Sequence, residues 1–297
     1  MPLNWSGVFP AITTPFRESG EVDHEFLAKH AKWMLDAGCH GLIPCGSLGE
    51  GATLTFEEKV DVLKTCVAAS GEKPVLPGVA ALATADAVRF AQIAEDVGCK
   101  GLMVLPPYAY STDWHEMKAH VEAVMRATKL PCMLYNNPVA YKTDFSPEQI
   151  AELASDIPNL EAVKESSTDV RRVTSIAALS EHVQILVGVD DAIVEGIAAG
   201  AKGWVAGLVN AFPEESVLIW QLGMEGKWGE AIRLYRWFLP LLRLDTVPKF
   251  VQLIKLAQEM VGMGSERVRA PRLVLEGAQR EEAIKVIKEG IAGRPAK

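Results

Sequence analysis

The sequence predicts an α/β fold, a (β/α)8 barrel with a small helical appendix at its C-terminal end. Three observations predict it: a recurring helix-to-strand junction, eight short apolar runs, and helix-start signals between those runs. The junction reads Ala37-Gly38-Cys39-His40-Gly41-Leu42-Ile43, returns as Val97-Gly98-Cys99-Lys100-Gly101-Leu102-Met103, and returns again as Ala199-Gly200-Ala201-Lys202-Gly203-Trp204-Val205. In each, the first glycine suits the left-handed position that ends a helix, and the second opens a strand. The intervals from Gly38 to Gly98 and from Gly98 to Gly200 fit two and four units of roughly 25 to 30 residues, the size of a βα unit.

Taken in order, the strands fall at 8–12, 42–45, 75–79, 102–105, 132–135, 160–163, 185–187 and 204–206. Runs this short and this apolar indicate a parallel sheet buried on both faces. Between them, Thr55 heads Phe56-Glu57-Glu58 as a capping box, Thr84 and Asp86 begin another helix, and Ser146-Pro147-Glu148 puts proline in a first turn. After the eighth strand come helical segments near 225–238, 249–260 and 280–289. The expected division is therefore a catalytic barrel over 1–224 and a helical appendix over 225–297.

Other architectures and functions are disfavoured by the same chain. Gly46-Ser47-Leu48-Gly49-Glu50-Gly51 matches neither the dinucleotide fingerprint nor a P-loop, and it follows the second strand rather than the first. Thirty Lys and Arg against thirty-eight Asp and Glu give a net charge of −8 with no basic block, so neither nucleic acid nor a membrane surface is an expected partner. The apolar stretches are too short and interrupted to span a bilayer, and the opening residues lack the pattern of a secretory leader. The five cysteines are scattered through apolar runs and read as reduced core residues of a cytoplasmic protein. His24 with His30, and His115 with His120, are not spaced i, i+4, so no metal site is expected on those helices.

A barrel gathers its chemistry at the carboxyl ends of its strands. Lys164 closes the sixth apolar run there. Turned inward among apolar side chains, it would keep a fraction of neutral amine, which attacks a ketone to give an imine without metal or organic cofactor. The competing reading is a strand-end lysine that snorkels to water. Tyr135 ends the adjacent fifth run, where its phenol could move protons beside an iminium or simply cap the core. Ser47 could hydrogen-bond that phenol, while backbone N–H groups of its loop could hold a carboxylate; a plain glycine-rich turn is the alternative.

In combination, Gly46-Ser47-Leu48-Gly49-Glu50, Tyr135-Asn136-Asn137-Pro138, Val163-Lys164-Glu165 and Gly188-Val189-Asp190-Asp191 give a specific pattern. By them the chain resembles the dihydrodipicolinate synthase and N-acetylneuraminate lyase superfamily of class I aldolases, from about Gly7 through the appendix. The resemblance implies a Schiff base on Lys164 with a small 2-oxo acid, Tyr135 as the proton-relay tyrosine and Ser47 as its hydroxyl neighbour. It places Tyr108 where a tyrosine reaches into a neighbouring subunit, with Tyr110 as a rival for the role, and so implies a homo-oligomer, a dimer or tetramer. Gly46, Leu48, Gly188 and Val205 fall at positions lining the pocket. Asp190 either contacts substrate hydroxyls or caps the next helix, the cap being slightly favoured.

Two departures bear on the substrate. Leu48 stands where synthases of the family carry a second hydroxyl residue, and Val139-Ala140-Tyr141-Lys142 stands where they carry an arginine for the second substrate's carboxylate. Lys142, two residues on, is a candidate substitute for that arginine unless it faces elsewhere. The leading expectation is accordingly a dehydratase or deaminase, for example a 1-pyrroline-4-hydroxy-2-carboxylate deaminase. A pyruvate-dependent aldolase or synthase stands second. A catalytically silent binding barrel stands last, because Lys164, Tyr135 and Ser47 occur together.

Overall fold

The computed structural model describes residues 3–107 and 113–295, so Tyr108 and Tyr110 lie outside the described residues. Seven parallel strands form one sheet: β1 (Gly7–Pro10), β2 (Gly78–Val79), β3 (Leu102–Val104), β4 (Cys132–Asn136), β5 (Leu160–Glu165), β6 (Gln184–Val187) and β7 (Gly203–Ala206). Their order is β1-β7-β6-β5-β4-β3-β2, which leaves β1 and β2 at the edges.

The segment expected as the second strand joins those edges. On one side the N–H of His40 donates to Val8 O at 2.8 Å and that of Ile43 to Pro10 O at 2.8 Å. On the other, Leu42 N–H donates to Pro74 O at 2.9 Å and Leu76 N–H to Leu42 O at 2.8 Å, with an isolated parallel bridge between Leu42 and Val75. The chain here is thus the eighth stave of a closed (β/α)8 barrel. It is not a continuous ladder because Pro44, Pro74 and Pro77 have no N–H to give. The same prolines shorten the strand expected at 75–79 to Gly78–Val79.

Helices return the chain between strands, and their starts follow the expected chemistry. Thr55 and Gln149's partner Ser146 both complete capping boxes, for the helices Phe56–Ser70 and Pro147–Asp156. After β7 the helices Pro213–Met224, Trp228–Leu242, Phe250–Met260 and Gly277–Ala292 follow. The first of them extends the helical region upstream of the expected start near 225, since its buried Val217, Ile219 and Trp220 pack on the barrel. All five cysteines are free and buried. Among the described residues no helix is long and apolar enough to cross a membrane.

Candidate active site

Lys164 and Tyr135 lie side by side in the β4–β5 register, near the carboxyl ends of both strands. Lys164 is buried, and its Nζ stands 4.2 Å from the centroid of the Tyr135 ring. Snorkelling to water is therefore not what this lysine does. Its neighbour Glu165 alternates to the other face of β5, as strand geometry requires, and there accepts from Asn136 Nδ2 at 3.1 Å and from Ser167 N–H at 2.6 Å. Burial raises the Glu165 carboxyl above its ordinary range, against those hydrogen bonds.

Gly188 follows β6 directly and faces the lysine stem. A Cβ there would come within 2.7 Å of Lys164 Cε and 2.8 Å of its Cγ, so only glycine leaves room for this side chain. Val205 is buried in β7.

The Tyr-Asn-Asn-Pro motif divides its labour. Buried Asn136 ties β4 to the following loop by accepting from Phe145 N–H at 3.0 Å. Asn137 caps the short helix Pro138–Tyr141 by accepting from Ala140 N–H at 3.0 Å, and its amide donates to the Tyr135 hydroxyl at 2.8 Å. That helix delivers Tyr141, whose ring meets Tyr135 edge-on with centroids 5.8 Å apart.

This placement corrects one expectation. Ser47 does not bond the Tyr135 phenol; its hydroxyl is paired with the hydroxyl of Tyr141. Tyr135 already has Asn137 on its oxygen, and the capped helix brings a second phenol to the serine loop. The loop itself packs tightly: a Cβ on Gly78 would come within 2.9 Å of Gly46 Cα, and Leu48 is buried. Among the described residues the N–H groups of Ser47 and Leu48 make no hydrogen bond, and a carboxylate is the kind of group they could receive.

Two further positions differ from expectation. Asp190 does not cap the helix that follows it. Its fully buried carboxylate accepts from Gly207 N–H at 3.1 Å, Leu208 N–H at 2.7 Å and Trp204 Nε1 at 3.0 Å, so it caps the turn Leu208–Asn210 beyond β7. Burial pushes it up to about 6, its three donors working the other way. With its oxygens so occupied, Asp190 is a brace between β6 and β7. Lys142 takes a left-handed backbone at the end of the short helix and donates to Val139 O at 3.0 Å, so it is not a replacement for the missing arginine.

The whole-chain comparisons now decide the family, for residues 4–290 match the model of the dihydrodipicolinate synthetase family. The chain belongs to that family. A 4-hydroxy-tetrahydrodipicolinate synthase of Methanococcus maripaludis is 32% identical over 266 residues, covering 89% of this chain and 91% of the relative. One of Natronomonas pharaonis is 31% identical and covers 96% of this chain and 97% of its own. Among solved structures, a putative dihydrodipicolinate synthetase from Pseudomonas aeruginosa is 30% identical, with a TM-score of 0.91 over 96% of this chain and 99% of that one. Like other members of the dihydrodipicolinate synthetase family, the chain is an enzyme of the class I, Schiff-base lyase type. Tyr141 is the residue that the sequence reading passed over, because only the fold of the short helix aims it at Ser47.

Proposed function

We propose that Lys164 forms the Schiff base with a small 2-oxo acid such as pyruvate. The observation that carries this reading is the buried amine over the Tyr135 ring, with Gly188 leaving space at its stem. The amine adds to the ketone carbon, the former carbonyl oxygen leaves as water, and the phenol of Tyr135 is placed to give and take the protons involved. Tyr141 and Ser47 extend that proton path, and the free N–H groups beside Ser47 receive the substrate carboxylate.

For the carbon chemistry that follows, the names of the relatives favour condensation, so a pyruvate-dependent synthase or aldolase takes first place over the deaminase expected from sequence. Dehydration or deamination remains the second reading for one reason: Ala140 offers no charge and Lys142 is turned to its own helix, which leaves a second substrate's carboxylate without its cation. The five free buried cysteines favour a reducing compartment, the cytoplasm, and Tyr108 favours an oligomer. The decisive experiment incubates the protein with pyruvate and borohydride and maps the adduct by mass. A stable adduct on Lys164, absent from Lys164→Ala, is expected; an unmodified wild type, or full turnover by the variant, refutes the reading. Assays of condensation with aspartate semialdehyde beside turnover of 4-hydroxy-pyrroline carboxylate then rank the two chemistries.

A further inference from the structure

Asn137 holds the third place of the Tyr-Asn-Asn-Pro motif, and its single side chain serves two neighbours at once. Oδ1 accepts from Ala140 N–H at 3.0 Å and so caps the helix Pro138–Tyr141, while Nδ2 donates to the Tyr135 hydroxyl at 2.8 Å. The cap fixes which way the amide points. Turned over, Nδ2 would meet the Ala140 N–H donor to donor and the helix would lose its cap, so the nitrogen must face the phenol. The Tyr135 oxygen is therefore an acceptor on this side, and the proton of its hydroxyl turns away from Asn137.

That polarity suits a phenol that lends its proton. Among the described residues Asn137 is the one hydrogen-bond partner of the Tyr135 hydroxyl, and the ring lies under the Lys164 amine. When the adduct of amine and ketone collapses, the phenol proton passes to the departing hydroxyl, the C–O bond breaks, water leaves, and an iminium faces a phenolate. The phenolate then takes a proton from the carbon beside the iminium; the C–H electron pair becomes the C=C bond of an enamine, and the C=N pair returns to nitrogen. Between the two transfers the phenol oxygen is negative. A hydrogen bond given to a charged oxygen is roughly twice as strong as one given to a neutral oxygen, so the Asn137 contact tightens when the proton has left. An acceptor in the same place would hold the proton back.

We propose that Asn137 is a positioning residue for proton transfer: its amide, locked by the helix cap, keeps the Tyr135 oxygen an acceptor and the phenol proton free for the reacting atoms. The same side chain holds the helix that carries Tyr141 to Ser47, so one residue sets both phenols. The inference rests on the Schiff base at Lys164 with Tyr135 as its acid and base.

Exchange of pyruvate methyl protons for deuterium in heavy water reads this step, because the proton that Tyr135 takes from carbon is replaced by a deuteron. Proton NMR follows it over a range of pyruvate concentrations in wild type, Asn137→Asp, Asn137→Ser and Tyr135→Phe, with a thermal melt of each. Asp and Ser are both good caps, so both variants should melt within about a few degrees of wild type. Asn137→Asp matches the native shape but turns an acceptor to the phenol, and should lose about a hundredfold in maximal exchange rate. Asn137→Ser, too short to reach the phenol, should lose about tenfold, the worth of one charge-assisted hydrogen bond. Half-saturating pyruvate should stay within about threefold in both, and the two should no longer differ once Tyr135→Phe is added. A side chain that merely packs gives the opposite order, with the isosteric Asp nearer wild type than Ser. That order, equal losses, or a difference that survives Tyr135→Phe overturns the proposal. Should Asn137→Ser fail to fold, Asn137→Thr gives the same comparison with its own cap. A wild type that exchanges no protons sinks the Lys164 reading and this inference with it; exchange that needs Lys164 and Tyr135 but is indifferent to Asn137 sinks Asn137 alone.

Discussion

Among the described residues two phenols, not one, stand at the candidate centre, and they differ in what holds them. Tyr135 is buried in β4 under the lysine amine and accepts from Asn137, whereas Tyr141 pairs with Ser47 from a four-residue helix. The group nearest the reacting nitrogen should matter most. Tyr135→Phe is expected to lose about 10² to 10⁴ in kcat, the usual worth of a positioned acid or base, and Tyr141→Phe less, about tenfold to a hundredfold. Steady-state kinetics on both variants check this, and an unaltered Tyr141→Phe would make that ring mere packing. A second residue controls stability rather than rate. His30 is fully buried, donates from Nε2 to Asn210 O at 2.9 Å, and has no partner on Nδ1; burial lowers it from 6.5 to about 4. A histidine with a depressed folded pKa contributes stability that is present above its unfolded value and is lost as the pH falls through the folded one. Between pH 6.5 and 4 the protein should lose roughly 3 kcal/mol from this residue, and His30→Gln should flatten that part of the profile in urea titrations at stepped pH.

At the level of elements, the serine loop is held from a distance. Glu50, in a left-handed conformation just past Ser47, is fully buried and bonded to Lys255 Nζ at 2.5 Å and to Arg269 N–H at 3.1 Å. Removing one member of such a pair leaves a charge without its partner. Lys255→Met is expected to cost about 3 to 5 kcal/mol, and the double variant with Glu50→Gln clearly less than the sum of the singles. Equilibrium unfolding of the three variants measures that coupling, and additive losses would show that the pair does not act as a unit. The pair also marks what sequence could and could not reveal. Periodicity and caps located most staves and several helices because those signals lie within a few neighbouring residues, as at Thr55 and Ser146. Lys164 and Tyr135 were legible for the same reason, each ending an apolar run. The partner of Glu50 lies two hundred residues on, and the partner of Ser47 depends on the four-residue helix that Asn137 caps. Proline interruption of the second and third staves was written in the sequence but outweighed there by the apolar run around it.

For the molecule as a whole, the division into a barrel over 1–224 and an appendix over 225–297 meets a physical objection, because the two are fastened at many points. Besides the Glu50 pair, Gln258 Oε1 accepts from Thr13 Oγ1 at 2.8 Å, Arg267 Nε donates to Phe16 O at 2.9 Å, and Arg269 forks onto Glu58 at 2.7 and 2.8 Å. Phe238, Leu241, Leu242, Ile254 and Leu256 of the later helices are wholly or almost wholly buried in the same core as the strands. Each such side chain contributes about 1.5 to 3 kcal/mol by burial, so the five together are comparable with the roughly 5 to 15 kcal/mol that separates a folded domain from its unfolded chain. A chain ending at 224 would also leave Glu50 buried without Lys255. We therefore expect the truncated chain not to reach the native state, and the full chain to unfold in one transition. Tryptophan fluorescence and far-ultraviolet circular dichroism should give coincident curves for the full chain, since Trp5 and Trp204 report on the barrel and Trp228 and Trp237 on the later helices. A truncated chain with native dichroism and its own cooperative melt, or two separated transitions in the intact protein, would make the appendix an independent domain. In that event Lys255 and Arg269 would act on the barrel as visitors from outside it rather than as parts of one core.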